Sequence, residues 1–160
     1  MLSSRAKYAL RACVFLAENQ QEQEEWVLSP DIAEAEDIPR KFLEAILVEL
    51  RDHGIVESRR GRYGGYRLAR PADRIASSEV IRIVDGPLAL APCASKTHFG
   101  PCSDCLDVRL CALQPMLRKA RDSMAGVLEG YMLSQLVRDR RARLLRNARA
   151  RLQKLQTETF

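Results

Sequence analysis

Apolar residues recur at helical spacing along most of the chain. Tyr8, Ala12, Phe15 and Leu16 fall on one face of a helix predicted from about Ser4 to Asn19. The run QQEQEE that follows is polar throughout and reads as a loop. Ser29 is placed to cap a short second helix through IAEAE, with Pro30 in its first turn. Pro39 opens a third helix in which Phe42, Leu43, Ile46, Leu47 and Leu50 form an apolar stripe, and Gly54 is suited to end it. The period then shortens. Ile55-Val56 and Tyr66-Arg67-Leu68 read as two short strands around a glycine-dense reversal. SSEVIRIVDGP predicts another short helix with Val80, Ile81 and Val84 inward, and APCASKTHFGPCSDCLDVRLC an irregular loop. From there Leu113, Leu117, Ala120, Met124, Val127 and Tyr131 alternate spacings of 4 and 3, a heptad-like seam on a helix starting near Pro115. The final segment is helix-compatible, with Leu145, Ala148, Leu152 and Leu155 on one side.

A short helix, a turn at Glu36-Asp37-Ile38, a longer amphipathic helix and a two-stranded hairpin make the order of a winged helix-turn-helix. The expected fold is therefore mainly α with a small two-stranded β wing. Its expected divisions are a winged helix-turn-helix DNA-binding domain at 1–75, a cysteine loop and dimerisation helix at 76–137, and a basic arm at 138–160. In the third helix Arg40, Lys41 and Glu44 face away from the apolar stripe and can reach base edges; Arg suits guanine, and Glu accepts from the cytosine amino group. The hairpin SRRGRYGGYRLARP supplies Arg59, Arg60 and Arg62 for phosphates or the minor groove, and Gly61, Gly64 and Gly65 for a sharp reversal. A two-fold dimer is the expected use of the seam, because symmetric DNA readers bring two recognition helices to two half-sites.

Charge sharpens the choice of partner. The net charge of +5 is uneven: residues 1–137 hold 18 Lys/Arg against 19 Asp/Glu, and 138–160 hold 8 against 2. Span 40–70 holds 8 against 4. Two separate positive regions on a balanced body favour a polyanion, here double-stranded DNA. No stretch is apolar enough to cross a membrane, and the N-terminus is too interrupted by charge for a signal peptide, so a cytoplasmic location is expected. An enzyme reading finds no Gly-rich phosphate loop leading into a helix and no nucleophile partnering either histidine.

Cys93, Cys102, Cys105 and Cys111 lie within nineteen residues. In a cytoplasmic chain such a cluster points to metal or redox chemistry. Its C-x8-C-x2-C-x5-C spacing ranks an iron–sulfur cluster first, with zinc and metal-free thiol sensing as alternatives, since zinc knuckles come in close-set pairs and only Cys102/Cys105 makes one. Cys13, among Ala12, Val14, Phe15 and Leu16, reads as a small buried hydrophobe. His98 reads as a loop histidine, and His53 as a group at a helix C-terminus.

With these residues in view, the chain resembles the Rrf-two family of bacterial winged-helix transcription regulators over residues 1 to about 137. The resemblance rests on LSSRAKYALRA, on IPRKFLEAILVELRDHGIVESRRGRYGGYRLARP, on EVIRIVDGPLAL and on the cysteine loop before a long helix. Most specific is the wing pattern Arg60, Gly61, Gly64, Gly65, Tyr66, Leu68, Ala69 after F-L-E-x-x-L. The resemblance implies a homodimeric regulator in which three cysteines, here Cys93, Cys105 and Cys111, bind a 2Fe–2S or 4Fe–4S cluster that senses iron, redox state or nitric oxide. Cys102 is an addition to that pattern and a candidate fourth ligand. The alternatives on the same scaffold are a cluster-free thiol or cysteine-metabolism regulator and a zinc-stabilised DNA-binding protein.

Overall fold

In the computed structural model, which describes residues 2–22 and 26–157, the first helix, α1 (Ser4–Glu22), is the spine of the core. Ala6, Ala9, Ala12, Cys13, Leu16 and Ala17 are buried along it, and these small side chains let neighbouring helices approach closely. Burial pushes the Cys13 thiol up to about 12, as expected of a structural cysteine. The helix continues three residues beyond Asn19, so Gln20, Gln21 and Glu22 are helical and not loop; the remainder of QQEQEE, 23–25, lies outside the described residues.

The helix-turn-helix forms as expected, with two local corrections. In α2 (Ser29–Ala35) the cap position belongs to Leu28, which has an extended backbone and makes no side-chain cap hydrogen bond, and Ser29 is already helical. In α3 (Arg40–Asp52), capped by Pro39, Leu43, Ile46, Leu47 and Leu50 are buried, whereas Phe42 is 62% exposed. At 100° per residue Phe42 sits roughly 90° from the centre of that stripe, which closes without it. The turn between the helices passes through Asp37 at φ +46, a left-handed conformation that aspartate tolerates better than most residues. Gly54, at φ +70, ends α3, and His53 Nδ1 lies 2.8 Å from the Glu49 carbonyl at that terminus.

The wing pairs β1 (Val56–Arg59) antiparallel with β2 (Gly65–Leu68), in the register Val56↔Leu68, Glu57↔Arg67, Ser58↔Tyr66, Arg59↔Gly65. Val27 extends this ribbon by exchanging both backbone hydrogen bonds with Tyr66, at 3.0 and 2.7 Å. Only glycine fits at 65: its φ is +140, and a Cβ there would meet the Val27 carbonyl oxygen at 2.4 Å.

Helix α4 (Ser77–Asp85) buries Val80, Ile81 and Val84 as expected, and Glu79 reaches back to accept from the Ala76 amide at 3.1 Å. The cysteine segment is irregular apart from one-turn helices at Pro92–Ala94 and Val108–Leu110. It leads into α5 (Gln114–Gly130) and then α6 (Leu133–Thr157). The break between these two helices is fastened to the start of α4. Ser77 donates its amide to the Tyr131 carbonyl at 2.8 Å, and Leu133 donates to Ile75 at 2.9 Å. Helix α6 then returns along α1, burying Leu133 and Val137, so the basic arm after position 137 continues a helix rooted in the core. The architecture is mainly α with a two-stranded antiparallel wing. Among the described residues no helix is long and apolar enough to cross a membrane.

Candidate nucleic-acid interface and cysteine site

The free face of α3 carries the residues expected to read DNA. Arg40 and Lys41 are exposed and Glu44 half-buried, and Arg40 Nε donates to Glu44 Oε1 at 2.8 Å. This i,i+4 pair holds the carboxylate against the helix, where an exposed pair adds only about 0.3–0.5 kcal/mol and is easily exchanged for a base contact. Phe42 stands out beside them, adding an apolar group of the kind that contacts a thymine methyl.

On the wing, Arg59, Arg60, Gly61 and Arg62 are exposed, and the reversal closes with Gly64 donating its amide to Gly61 at 3.0 Å. Gly61 is at φ +107, and a Cβ on Gly64 would meet the Arg59 carbonyl oxygen at 2.1 Å. The arginines divide by what holds them. Arg67 pairs with Glu57 and lies over the Trp26 ring at 4.5 Å, while Arg70 Nη2 donates to Glu79 at 2.8 Å. Burial works against the Glu79 charge, but the Arg70 and Ala76 hydrogen bonds outweigh it and hold that carboxyl below its ordinary range. Arg59 lies 5.7 Å from the same Trp26 ring, and Arg62 5.8 Å from Tyr63. Arg67 and Arg70 thus brace the ribbon, while Arg59, Arg60 and Arg62 are exposed and have no carboxylate partner among the described residues. Trp26 was invisible to pattern reading, because its partners lie more than thirty residues away.

Each site cysteine sits on a turn. Cys93 is 3% exposed in the Pro92–Ala94 turn; Cys102, Cys105 and Cys111 are half-buried. The Sγ atoms of Cys93 and Cys102 are 3.8 Å apart. Burial raises the Cys93 thiol, and charge on Cys102, Cys111 and Cys105 would raise it further. Cys105 is raised by burial and then by Cys111, Cys102 and Asp104. Cys93 and Cys105 therefore resist ionisation unless positive charge is supplied, and a bound metal would supply it. A single tetrahedral zinc, with bonds near 2.3 Å, needs all its sulfurs about 3.8 Å apart. The Cys93/Cys102 pair meets that spacing, but among the described residues no group of three Cys, His or acidic side chains converges to hold one ion. Soft thiolates spread over a loop fit a polynuclear cluster better, because its several irons each take their own ligand. His98 is exposed, with Nδ1 2.9 Å from Thr97 Oγ1.

Two residues that pattern reading passed over tie this loop to α5. Gln114 Nε2 donates to the Cys93 carbonyl at 3.2 Å, and Arg121, only 5% exposed, donates to the Ala94 carbonyl. Asp122 accepts from Arg121 Nη2 at 2.7 Å and pairs with Lys96 at 3.0 Å; Lys96 and then Arg121 hold its carboxyl below the usual range. The available signal for Arg121 was phase, since it lies four residues after Leu117 and three before Met124. Of the seam, Leu113 at the N-cap of α5, Ala120, Val127 and Tyr131 are exposed and Leu117 and Met124 half-buried, leaving it open in the single chain.

A second charged knot joins α6 to the helix-turn-helix. Glu36, buried at the end of α2, accepts from Arg11 Nε at 3.1 Å and from Arg140 Nη1 at 2.5 Å, and Arg140 Nε lies 3.6 Å from Glu18.

Comparison with known proteins agrees with this geometry. Residues 2–139 match the sequence model of the family Rrf2, described as an iron-dependent transcriptional regulator. An rrf2-like HTH-type transcriptional regulator of Rhodobacter capsulatus is 34% identical over 138 residues, covering 86% of this chain and 92% of that protein. Among solved structures, IscR of T. potens superposes with a TM-score of 0.69 at 27% identity, covering 87% of each chain. CymR, named as the global cysteine regulator of B. subtilis, does so at 0.67 and 26% identity, covering 86% of this chain and 95% of its own.

Proposed function

Because this chain belongs to the Rrf2 family of transcriptional regulators, and is a regulator and not an enzyme, we propose that it is a homodimeric repressor whose operator affinity is set by an iron–sulfur cluster in the cysteine loop. The observation that carries this reading is the cysteine loop, in which Cys102, Cys105 and Cys111 lie within electrostatic reach of Cys93, fastened by Gln114 and Arg121 to the helix bearing the open seam. Cys93, Cys105 and Cys111 would hold the cluster, and Cys102 would complete an all-thiolate set. Such a group, when bound, would supply a sensitivity to iron supply, oxidants or nitric oxide. Arg121 and Gln114 translate the position of the Cys93 turn into the position of α5. The seam on α5 would carry that shift to the partner subunit and so to the spacing of the two recognition helices. Arg40, Lys41, Phe42 and Glu44 are assigned to base edges and Arg59, Arg60 and Arg62 to phosphates, with Gly61, Gly64 and Gly65 shaping the wing.

The test is anaerobic purification with iron and sulfide analysis, followed by DNA affinity of filled and emptied protein. Visible absorption is expected to vanish in Cys93→Ala, Cys105→Ala and Cys111→Ala, and to bleach or shift in Cys102→Ala. Fully coloured Cys105→Ala and Cys111→Ala proteins, or equal DNA affinity with and without the cluster, would defeat the reading. The 3.8 Å approach of Cys93 to Cys102 favours one second reading, a thiol switch. There the two thiols form a disulfide, their two protons and two electrons reducing a peroxide to water. Colourless anaerobic protein that gains this bond on peroxide treatment would select it.

A further inference from the structure

We infer that the part of α6 beyond position 137 is a second DNA-contacting surface, one that grips phosphates flanking the operator; this rests on the DNA-regulator reading above. The family match ends at residue 139, so this surface is additional to the scaffold the relatives share. Its root is fixed. Leu133 and Val137 are buried against α1, and Arg140 is bound to Glu36, four residues before Arg40 of the recognition helix. From Arg140 the helix runs on to Thr157, about 25 Å at 1.5 Å per residue.

Residues 138–157 contain eight Lys or Arg and one acid, Asp139. Arg138, Arg143, Arg146, Arg149 and Arg151 are exposed, and among the described residues none of these five has a carboxylate within ion-pair distance. At 100° per residue Arg138, Arg146 and Arg149 fall within an arc of roughly 80°, on the side of the helix opposite Leu133, Val137 and Arg140. Like charges three residues apart, as at Arg143/Arg146 and Arg146/Arg149, destabilise a helix by a few tenths of a kcal/mol each. A row of them is relieved by a regular polyanion.

Leu144 and Leu145 are exposed on the arm and make a second copy of the chain the competing occupant. Pairing two arms would set one excess of positive charge against another with no acidic face to answer it. Duplex DNA presents a negative charge about every 1.7 Å and can answer the arginines that share one side of the arm. Such contacts add affinity without sequence preference.

The experiment uses full-length protein with Arg143, Arg146, Arg149 and Arg151 all changed to Gln, and a second variant with all four changed to Lys. The probes are a short duplex selected by wild-type protein from a random-sequence pool, and the same duplex extended by two helical turns of unrelated sequence on each side. Wild type and the Lys variant are expected to bind the extended duplex at least tenfold more tightly than the short one. The Gln variant should bind the short duplex normally and lose that advantage, its log–log salt slope on the extended duplex falling by about 0.9 for each contact removed. Equal behaviour of wild type and Gln variant on both duplexes would overturn the proposal. So would a wild-type assembly larger than a dimer that the Gln variant reduces to a dimer with its DNA binding unaltered. Failure of wild type to select or bind any duplex would instead defeat the regulator reading on which the proposal stands.

Discussion

A single methyl group at position 65 has more to disturb than most whole side chains on this surface. Gly65→Ala must place its Cβ 2.4 Å from the Val27 carbonyl oxygen at a φ of +140. The strained conformation alone costs about 1–3 kcal/mol, before Val27 and Tyr66 move apart. We expect the melting temperature to fall by roughly 5 °C or more; an unchanged value would show that the wing does not depend on Val27. Cys13 makes an opposite prediction, of inertness. With its thiol pushed from 9.0 to about 12, Cys13 is almost wholly protonated at pH 8, and iodoacetamide should modify it only after denaturation. Its contribution to stability is whole below pH 9.0 and is lost as pH rises from there towards 12, because the unfolded chain ionises first. Cys13 was legible from its apolar neighbours. Phe42 was misread, since a residue at the edge of a helical stripe satisfies the period without being covered. Glu36, Trp26 and Arg121 were not legible as organising residues, because each acts through groups distant in the chain, in the case of Glu36 and Arg140 more than a hundred residues away.

Helices and strands followed from periodicity, and their misplacements are instructive. The seam on α5 runs in phase through Tyr131, and nothing in its spacing announces a break there. The break arises from outside, where the Tyr131–Leu133 segment trades its helical bonds for pairing with Ile75 and Ser77. Likewise the spacing of the cysteines was visible, while the clamp from Gln114 and Arg121 that fixes the loop on α5 was not. The exposed seam carries the prediction at this scale. Met124→Lys with Val127→Lys places two charges on a face that the proposed dimer would bury, where an unpaired charge is strongly unfavourable. Light scattering should report monomers, and specific DNA binding should be lost. A folded variant that remains dimeric would move the interface elsewhere.

The order of elements was enough to identify a winged helix-turn-helix, because helix, turn, helix and glycine-rich hairpin leave few other ways to bury one apolar stripe. How the pieces are held at fixed distances depended on charge pairs the pattern does not encode. Changing Arg59, Arg60 and Arg62 together to Ala should weaken DNA binding across all sequences and reduce the salt slope by up to about 3 per protomer; an unaltered salt titration would displace the wing from the interface. Trp26, the one tryptophan in the chain, lies beneath Arg59 and Arg67 at the base of that wing. Its fluorescence is therefore a native optical probe of the DNA-facing hairpin, free of competing indole emission. Drawing Arg59 away towards a phosphate alters what stacks on the ring, so emission should change on DNA binding in unlabelled protein, and the arrival of DNA can be timed in the same cuvette in which the cysteine loop is filled or emptied.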